Sequence, residues 1–201
     1  MELEFAQKIL KKFKIDDTII SINQNKTGLI NQTFELSTHE NKYILQRINT
    51  QIFPNYQQGL ENIILIKKWL KKTNYSYEFP SPLQNQYLNF KEKIWRLLPF
   101  VKKSKSINKV SKISEAEEAV KCMAEFYNCL EDIPIEKLNI TIPNFHSGAQ
   151  KILAFNKALK NSNELRKQNA WSLILEIERN LKMLAEWDEI CRKLPKRVIH
   201  Y

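Results

Sequence analysis

Between residues 33 and 48 apolar and polar positions alternate with a period of two. Thr33-Phe34-Glu35-Leu36 and Lys42-Tyr43-Ile44-Leu45-Gln46-Arg47-Ile48 are β-prone runs, and the polar stretch from Ser37 to Asn41 joins them. The pattern predicts a β-hairpin. Side chains alternate along a strand, so Tyr43, Leu45 and Arg47 share one face of the second run. A cation at the end of an otherwise apolar strand needs a partner. A nucleotide phosphate is one candidate, and solvent reached by a snorkelling side chain is the other.

The rest of the first half adds elements around this hairpin. Leu3, Ala6, Ile9, Leu10 and Phe13 fall on one helical face, and residues 18–23 alternate as a short strand. A loop holding Pro54 follows the hairpin. Leu60, Ile63, Ile64 and Leu70 then form a helical stripe over residues 57–72, with Glu61 beside it. Pro80 and Pro82 break the chain. Residues 87–90 and 93–98 read as a second hairpin turning at Lys91-Glu92.

After residue 98 the pattern changes. Pro99-Phe100-Val101 leads into a polar, basic linker ending near Lys112, and every strong signal beyond it is helical. Ser114-Glu115-Ala116-Glu117 has the form of a capping box. Ala116, Ala119, Val120, Met123, Phe126, Tyr127 and Leu130 then recur at helical spacing. Ile142-Pro143-Asn144-Phe145-His146 interrupts. Ile152, Phe155 and Leu159 predict a short helix; Leu173, Ile174, Ile177, Leu181, Leu184 and Cys191 predict a long one ending near Pro195. An α+β part of about five antiparallel strands followed by an all-helical part makes a two-lobed architecture the simplest expectation, with ligand binding in the cleft between lobes.

Composition narrows the function classes. The 201 residues carry a formal net charge of +10, which suits phosphate-bearing ligands, nucleic acid or acidic membrane. The basic residues are dispersed, however. Lys67, Lys68, Lys71 and Lys72 flank Trp69 and Leu70 on one predicted helix, and Lys102, Lys103 and Lys105 lie in the linker. No aromatic-interleaved basic stripe exists, so solvated faces are the expectation and neither nucleic acid nor membrane is expected as a partner. No window has the apolar length of a membrane span. The opening residues are amphipathic rather than signal-like, so the expected location is cytoplasmic. Cys122, Cys129 and Cys191 lack metal-ligand spacing and read as reduced thiols.

Several strings, in their order and spacing, resemble a known family. Gly28-Leu29-Ile30-Asn31-Gln32-Thr33-Phe34 comes first, then Tyr43-Ile44-Leu45-Gln46-Arg47-Ile48-Asn49, Phe53 and Glu61-Asn62-Ile63. Trp95-Arg96, Ile142-Pro143-Asn144-Phe145-His146 and Leu194-Pro195-Lys196-Arg197-Val198-Ile199-His200 follow. Together they are similar to the aminoglycoside phosphotransferase and choline kinase superfamily, and within it to the branch containing N-acetylhexosamine 1-kinase. The resemblance implies an α+β, protein-kinase-like two-lobed fold. Residues 1–98 would be a five-stranded antiparallel N-terminal lobe with one packed helix, 99–112 a hinge and linker, and 113–201 an incomplete helical C-terminal lobe. It implies ATP and magnesium as cofactors, and a sugar, amino sugar or alcohol hydroxyl as acceptor.

It also implies roles. Phosphoryl transfer is mostly positioning and charge neutralisation. The loop around Gly28 would cover the ATP phosphates, with Asn31 and Thr33 offering polar contacts. Arg47 would hold the phosphates and pair with Glu61, although a shift of one residue would put Gln46 in that place. Leu97 to Val101 would be the hinge. Pro99 has no N–H, so Leu98, Phe100 and Val101 are the residues expected to meet adenine. His146 lies where this branch places a sugar-site residue, and Ser147 and Lys151 follow where the branch has an acidic residue and an arginine.

His200 marks the start of the catalytic loop, in which the family continues to a catalytic Asp and to the Asn and Asp that bind magnesium. Those positions fall beyond Tyr201. The chain is therefore expected to represent the N-terminal part of a phosphotransferase and to be inactive as given; activity would require another carboxylate, such as Asp188 or Glu189, to act as base. The alternatives are a non-catalytic nucleotide-binding or interaction protein retaining the small lobe, and a basic helical adaptor without a ligand.

Overall fold

A computed structural model describes the chain except for Thr27, Lys105, Ser106, Asn108, His200 and Tyr201. The chain divides into two compact units, Met1–Ile142 with the segment from Arg197, and Pro143–Lys196.

The first unit is built on a five-stranded antiparallel sheet. Its strands are β1 (Ile19–Asn25), β2 (Gln32–Thr38), β3 (Lys42–Arg47), β4 (Leu88–Phe90) and β5 (Lys93–Pro99), in the order β1-β2-β3-β5-β4. Both hairpins read from the sequence are present. The β4–β5 turn is made by Lys91 and Glu92 with φ of 50° and 58°. Both central residues lie in the left-handed region, as in the two-residue type I′ hairpin turn, here without the glycine that this turn usually recruits.

Register follows the alternation. Phe34, Leu45 and Leu97 are ladder neighbours across β2, β3 and β5, as are Thr33, Gln46 and Arg96 one position along. The first row points to one face of the sheet and the second to the other. On the apolar face lies α1 (Leu3–Lys12), whose Ala6, Ile9 and Leu10 pack with Phe13, Leu36, Leu45 and Leu97 into the main core. The large apolar side chains of this group are buried completely, and each contributes about 1.5–3 kcal/mol relative to exposure. The opposite face is turned to α2 (Tyr56–Lys72). Tyr56, Gly59 and Ile63 of α2 and Ile48, Tyr87 and Arg96 of the sheet side line a common cavity of about 200 Å³.

Beyond its first half, α2 turns to a second core. Leu70 packs there with Leu130 and Ile133, flanked by Trp69, Phe79, Phe126 and Val198. Phe126 and Cys129 belong to α3 (Ile113–Cys129). This helix begins one residue before the predicted box. Ser111 N–H and Oγ meet Glu115 Oε2 at 3.2 and 3.3 Å, and no side chain caps at Lys112. The Ser114–Glu117 capping box therefore does not form, because Ser114 already lies inside the first turn.

The second unit holds α4 (Gly148–Asn161), α5 (Glu164–Asn169) and α6 (Trp171–Lys193). The two longer helices are those read from the apolar periodicity, and α5 is an addition. At Gly148 a Cβ would stand 2.0 Å from the Leu184 carbonyl oxygen. Only glycine lets the start of α4 come this close to α6.

Among the described residues no helix is long and apolar enough to cross a membrane.

Candidate functional site

The sheet face turned to α2 carries a polar relay. Gln46 stands between Thr33 and Arg96 in the ladder, so the three side chains sit in one row. Gln46 Nε2 donates to Thr33 Oγ1 at 2.9 Å, and Arg96 Nε donates to Gln46 Oε1 at 2.7 Å. Arg96 Nη1 reaches the Tyr87 hydroxyl at 3.4 Å. Tyr87 in turn lies against Tyr56 of α2, with ring centroids 6.0 Å apart. Two residues further along β5, Leu98 pairs with Ile44 and makes an apolar row on the same face. From the C-terminal end of β5 inward the surface thus runs apolar, then polar and cationic.

Asn31 closes the far end. Its Oδ1 accepts the Asn49 N–H at 3.0 Å, which ties the β1–β2 loop to the end of β3. Gly28 is exposed within that loop, and a Cβ there would meet Asn31 O at 3.4 Å and Thr33 Oγ1 at 3.8 Å, ordinary contacts. The fold itself does not demand glycine at this position; any such demand would come from a ligand.

The expected Arg47–Glu61 pair is not formed. None of the ion pairs among the described residues joins them. Arg47 follows Leu45 onto the α1 side of the sheet, where it lines a cavity with Glu2, Phe5 and Trp95. Glu61, on α2, accepts instead from Asn139 Nδ2 at 2.9 Å. The neighbouring Asn62 holds the same segment through two 2.8 Å bonds to the Asn139 backbone. The alternation read from the sequence was right. Which helix covers which face was not legible; the structure puts Arg96, not Arg47, on the α2 side. Sequence reasoning did single out Trp95-Arg96. Burial of Trp95 in the α1 core dictates that Arg96 face α2.

Past the end of β5, Phe100 lies under Lys42 Nζ at 5.2 Å from its ring centroid, and the Val101 carbonyl accepts from Ser104 Oγ at 2.6 Å. On the reverse side, Asp17 fastens the β2–β3 turn. It accepts from Tyr43 Oη at 2.8 Å, Asn41 Nδ2 at 3.0 Å and Thr38 Oγ1 at 3.3 Å. Donation from Asn41 and Tyr43 holds the carboxyl below its ordinary range. Burial and the Asp17 hydrogen bond push the Tyr43 hydroxyl up to about 12. This cluster anchors the hairpin.

His146 belongs to the other unit, where its carbonyl accepts from Trp187 Nε1 at 3.1 Å and its ring meets Phe145 edge-on at 4.8 Å. His200 lies outside the described residues. Asp188 is committed to structure. It accepts from Gly148 N at 2.7 Å, Ala149 N at 3.1 Å and Ser147 Oγ at 3.0 Å, and so closes the N-terminus of α4. These bonds, led by the Ala149 N–H, lower its pKa. A carboxylate whose oxygens are filled by three donors makes a poor general base. Among the described residues no group of three His, Cys, Asp or Glu is arranged to hold a metal.

The chain matches no family model. Solved structures match it closely in fold. Spectinomycin phosphotransferase in complex with ADP and spectinomycin superposes with a TM-score of 0.60 at 13% identity, covering 98% of this chain and 60% of that one. An aminoglycoside 2′-phosphotransferase variant in complex with GDP gives 0.55 at 16% identity, over 86% and 57%. Spectinomycin phosphotransferase with AMP gives 0.55 at 11% identity, over 94% and 59%. The protein has an α+β, protein-kinase-like fold shared with aminoglycoside phosphotransferases. It spans 57–60% of the length of these solved chains.

Proposed function

We propose that this protein is a nucleotide-binding part of an ATP-dependent small-molecule phosphotransferase. The parent reaction moves the γ-phosphoryl group of ATP to a hydroxyl of a sugar, amino sugar or alcohol, with magnesium, in the cytoplasm. In this reading residues 1–98 are the nucleotide lobe, 99–112 the hinge and linker, and 113–201 the first part of the helical lobe. The observation that carries the reading is the likeness of fold to phosphotransferases solved with ADP, AMP and GDP. Adenine would stack on the Leu98–Ile44 row and meet main-chain groups near Phe100 and Val101. The loop from Gly28 to Thr33 would lie over the phosphates, and His146 would take part in acceptor binding.

The 201-residue chain assayed alone should bind nucleotide without turning it over. Among its described carboxylates, Asp188 is held as a helix cap and Glu61 is bonded to Asn139. Loss of a positioned base alone costs about 10²- to 10⁴-fold, and loss of metal neutralisation compounds it. Coupled ADP release should be measured at millimolar Mg-ATP with amino sugars, aminoglycosides and ethanolamine-type alcohols, alongside a thermal shift with ADP. Stabilisation by ADP without acceptor-dependent turnover is expected. Acceptor-dependent turnover would show a complete catalytic site. Absence of any nucleotide effect would favour the adaptor reading.

A further inference from the structure

The cation on the α2 face has a geometry that the ladder alone does not require. Arg96 is half-buried, and among the described residues no carboxylate lies within ion-pairing distance of it. A guanidinium withdrawn from water is costly unless it is paired. It is nevertheless held in place on two sides, by Gln46 on Nε and Tyr87 on Nη1. Gln46 is itself fixed by Thr33. A long, flexible side chain is thereby ordered at an entropic cost, with its remaining N–H donors unspent.

Those donors adjoin the cavity between the sheet and α2. Asn31 and Asn55 line it too. Asn31 has spent Oδ1 on the Asn49 N–H and Asn55 has spent Nδ2 on the Thr141 carbonyl at 3.1 Å. The amide NH2 of Asn31 is therefore what it still offers. At about 200 Å³ the space is below the ~300–1,000 Å³ of sites that enclose a whole drug-sized ligand. It suits a charged group projecting from a larger ligand. Planar, multiply donating guanidinium matches a phosphoryl oxyanion.

We infer that Arg96, oriented by the Thr33–Gln46 relay and Tyr87, forms an oxyanion subsite for the phosphoryl groups of the nucleotide. The assignment rests on the nucleotide reading above, and it replaces Arg47 as the phosphate-holding cation. Arg96 stands two residues from Leu98 along β5, so the subsite is about 7 Å from the apolar row expected to carry adenine.

Titration calorimetry of the full 201-residue chain with pyrophosphate, ADP and adenosine tests this, using the wild type, Arg96→Gln and Arg47→Gln. A charge-assisted hydrogen-bonding group is worth enough that Arg96→Gln should weaken pyrophosphate and ADP about 10- to 100-fold. Adenosine should bind it as it binds the wild type, and Arg47→Gln should leave all three ligands unchanged. Should Arg96→Gln fold poorly, phenylglyoxal modification of the wild type gives the same answer by peptide mass: pyrophosphate should protect Arg96 and not Arg47. Undiminished ADP binding by folded Arg96→Gln, or equal losses in both variants, overturns the subsite while the nucleotide reading stands. Pyrophosphate protection of Arg96 without binding of ADP or adenosine overturns both the nucleotide reading and the assignment of Arg96 to nucleotide phosphates, leaving an anion contact only. No binding of any ligand and no protection overturns both.

Discussion

Asp188 shows how one side chain is given its role by what surrounds it. On sequence it is one of several acids on an amphipathic helix. In the structure its two oxygens take the Gly148 and Ala149 N–H groups and the Ser147 hydroxyl. Those N–H groups belong to the first turn of α4, which has no intrahelical acceptors for them. The bonds favour the ionised carboxyl and depress its pKa in the folded state. A depressed carboxyl contributes stability that is present above its unfolded pKa of about 3.9 and is lost as pH falls through the folded value. Asp188→Asn should lower the melting temperature at neutral pH. It should also flatten the dependence of that temperature on pH below about 4. Thermal melts from pH 7 to pH 3 on both proteins check it, and parallel curves would count against the capping role.

At the scale of elements, close approach of α4 and α6 depends on a missing side chain. A Cβ at residue 148 would overlap the Leu184 carbonyl, and the obstruction is backbone, which cannot rotate away. Gly148→Ala should therefore force the helices apart at the Ser147–Asp188 junction. The cost expected is about 1–3 kcal/mol, the range for overpacking a fitted interface. Denaturant unfolding measures it directly. A change within about 0.5 kcal/mol would mean that α4 can shift without loss. The sheet obeys a different logic. Its strands were legible because alternation needs only neighbouring residues, and its two hairpins because short turns join adjacent runs. Even the Lys91-Glu92 turn could be placed, although its backbone adopts a conformation those residues do not favour.

At the scale of the whole molecule, exposed apolar side chains bear on behaviour in solution. Trp171, Leu173 and Met183 of α6 are 57%, 67% and 61% exposed, and Val120 of α3 is 66% exposed. Single exposed apolar residues are ordinary, but α6 carries several along its length. The purified chain should associate as its concentration rises through the micromolar range. Replacing Trp171 and Leu173 together by Gln should reduce the association without lowering thermal stability, since both side chains are largely in solvent. Light scattering across a concentration series reads the outcome. A monomer at every concentration would show that these faces are covered or tolerated.

The sequence by itself determined most of the elements, α5 excepted. Period-two runs gave β2, β3 and β5, helical stripes gave α1, α2, α3, α4 and α6, and the change of pattern after residue 98 separated an α+β part from helices. The resemblance of short ordered strings agreed with the fold found in the solved phosphotransferases. Alternation even put Tyr43, Leu45 and Arg47 on one face, as they are. What only the tertiary structure decided was the identity of that face. Both faces of this sheet are covered by helices with apolar stripes, so local pattern cannot say whether α1 or α2 receives Leu45. The choice is made by packing across long separations in sequence: Ala6, Ile9 and Leu10 fill the space against Leu45 and Leu97. Once they do, Arg47 is carried to the α1 side, and Thr33, Gln46 and Arg96 are left together opposite α2. One residue of register separates the two outcomes, and the burial of a core too distributed to read from any single stretch selects between them.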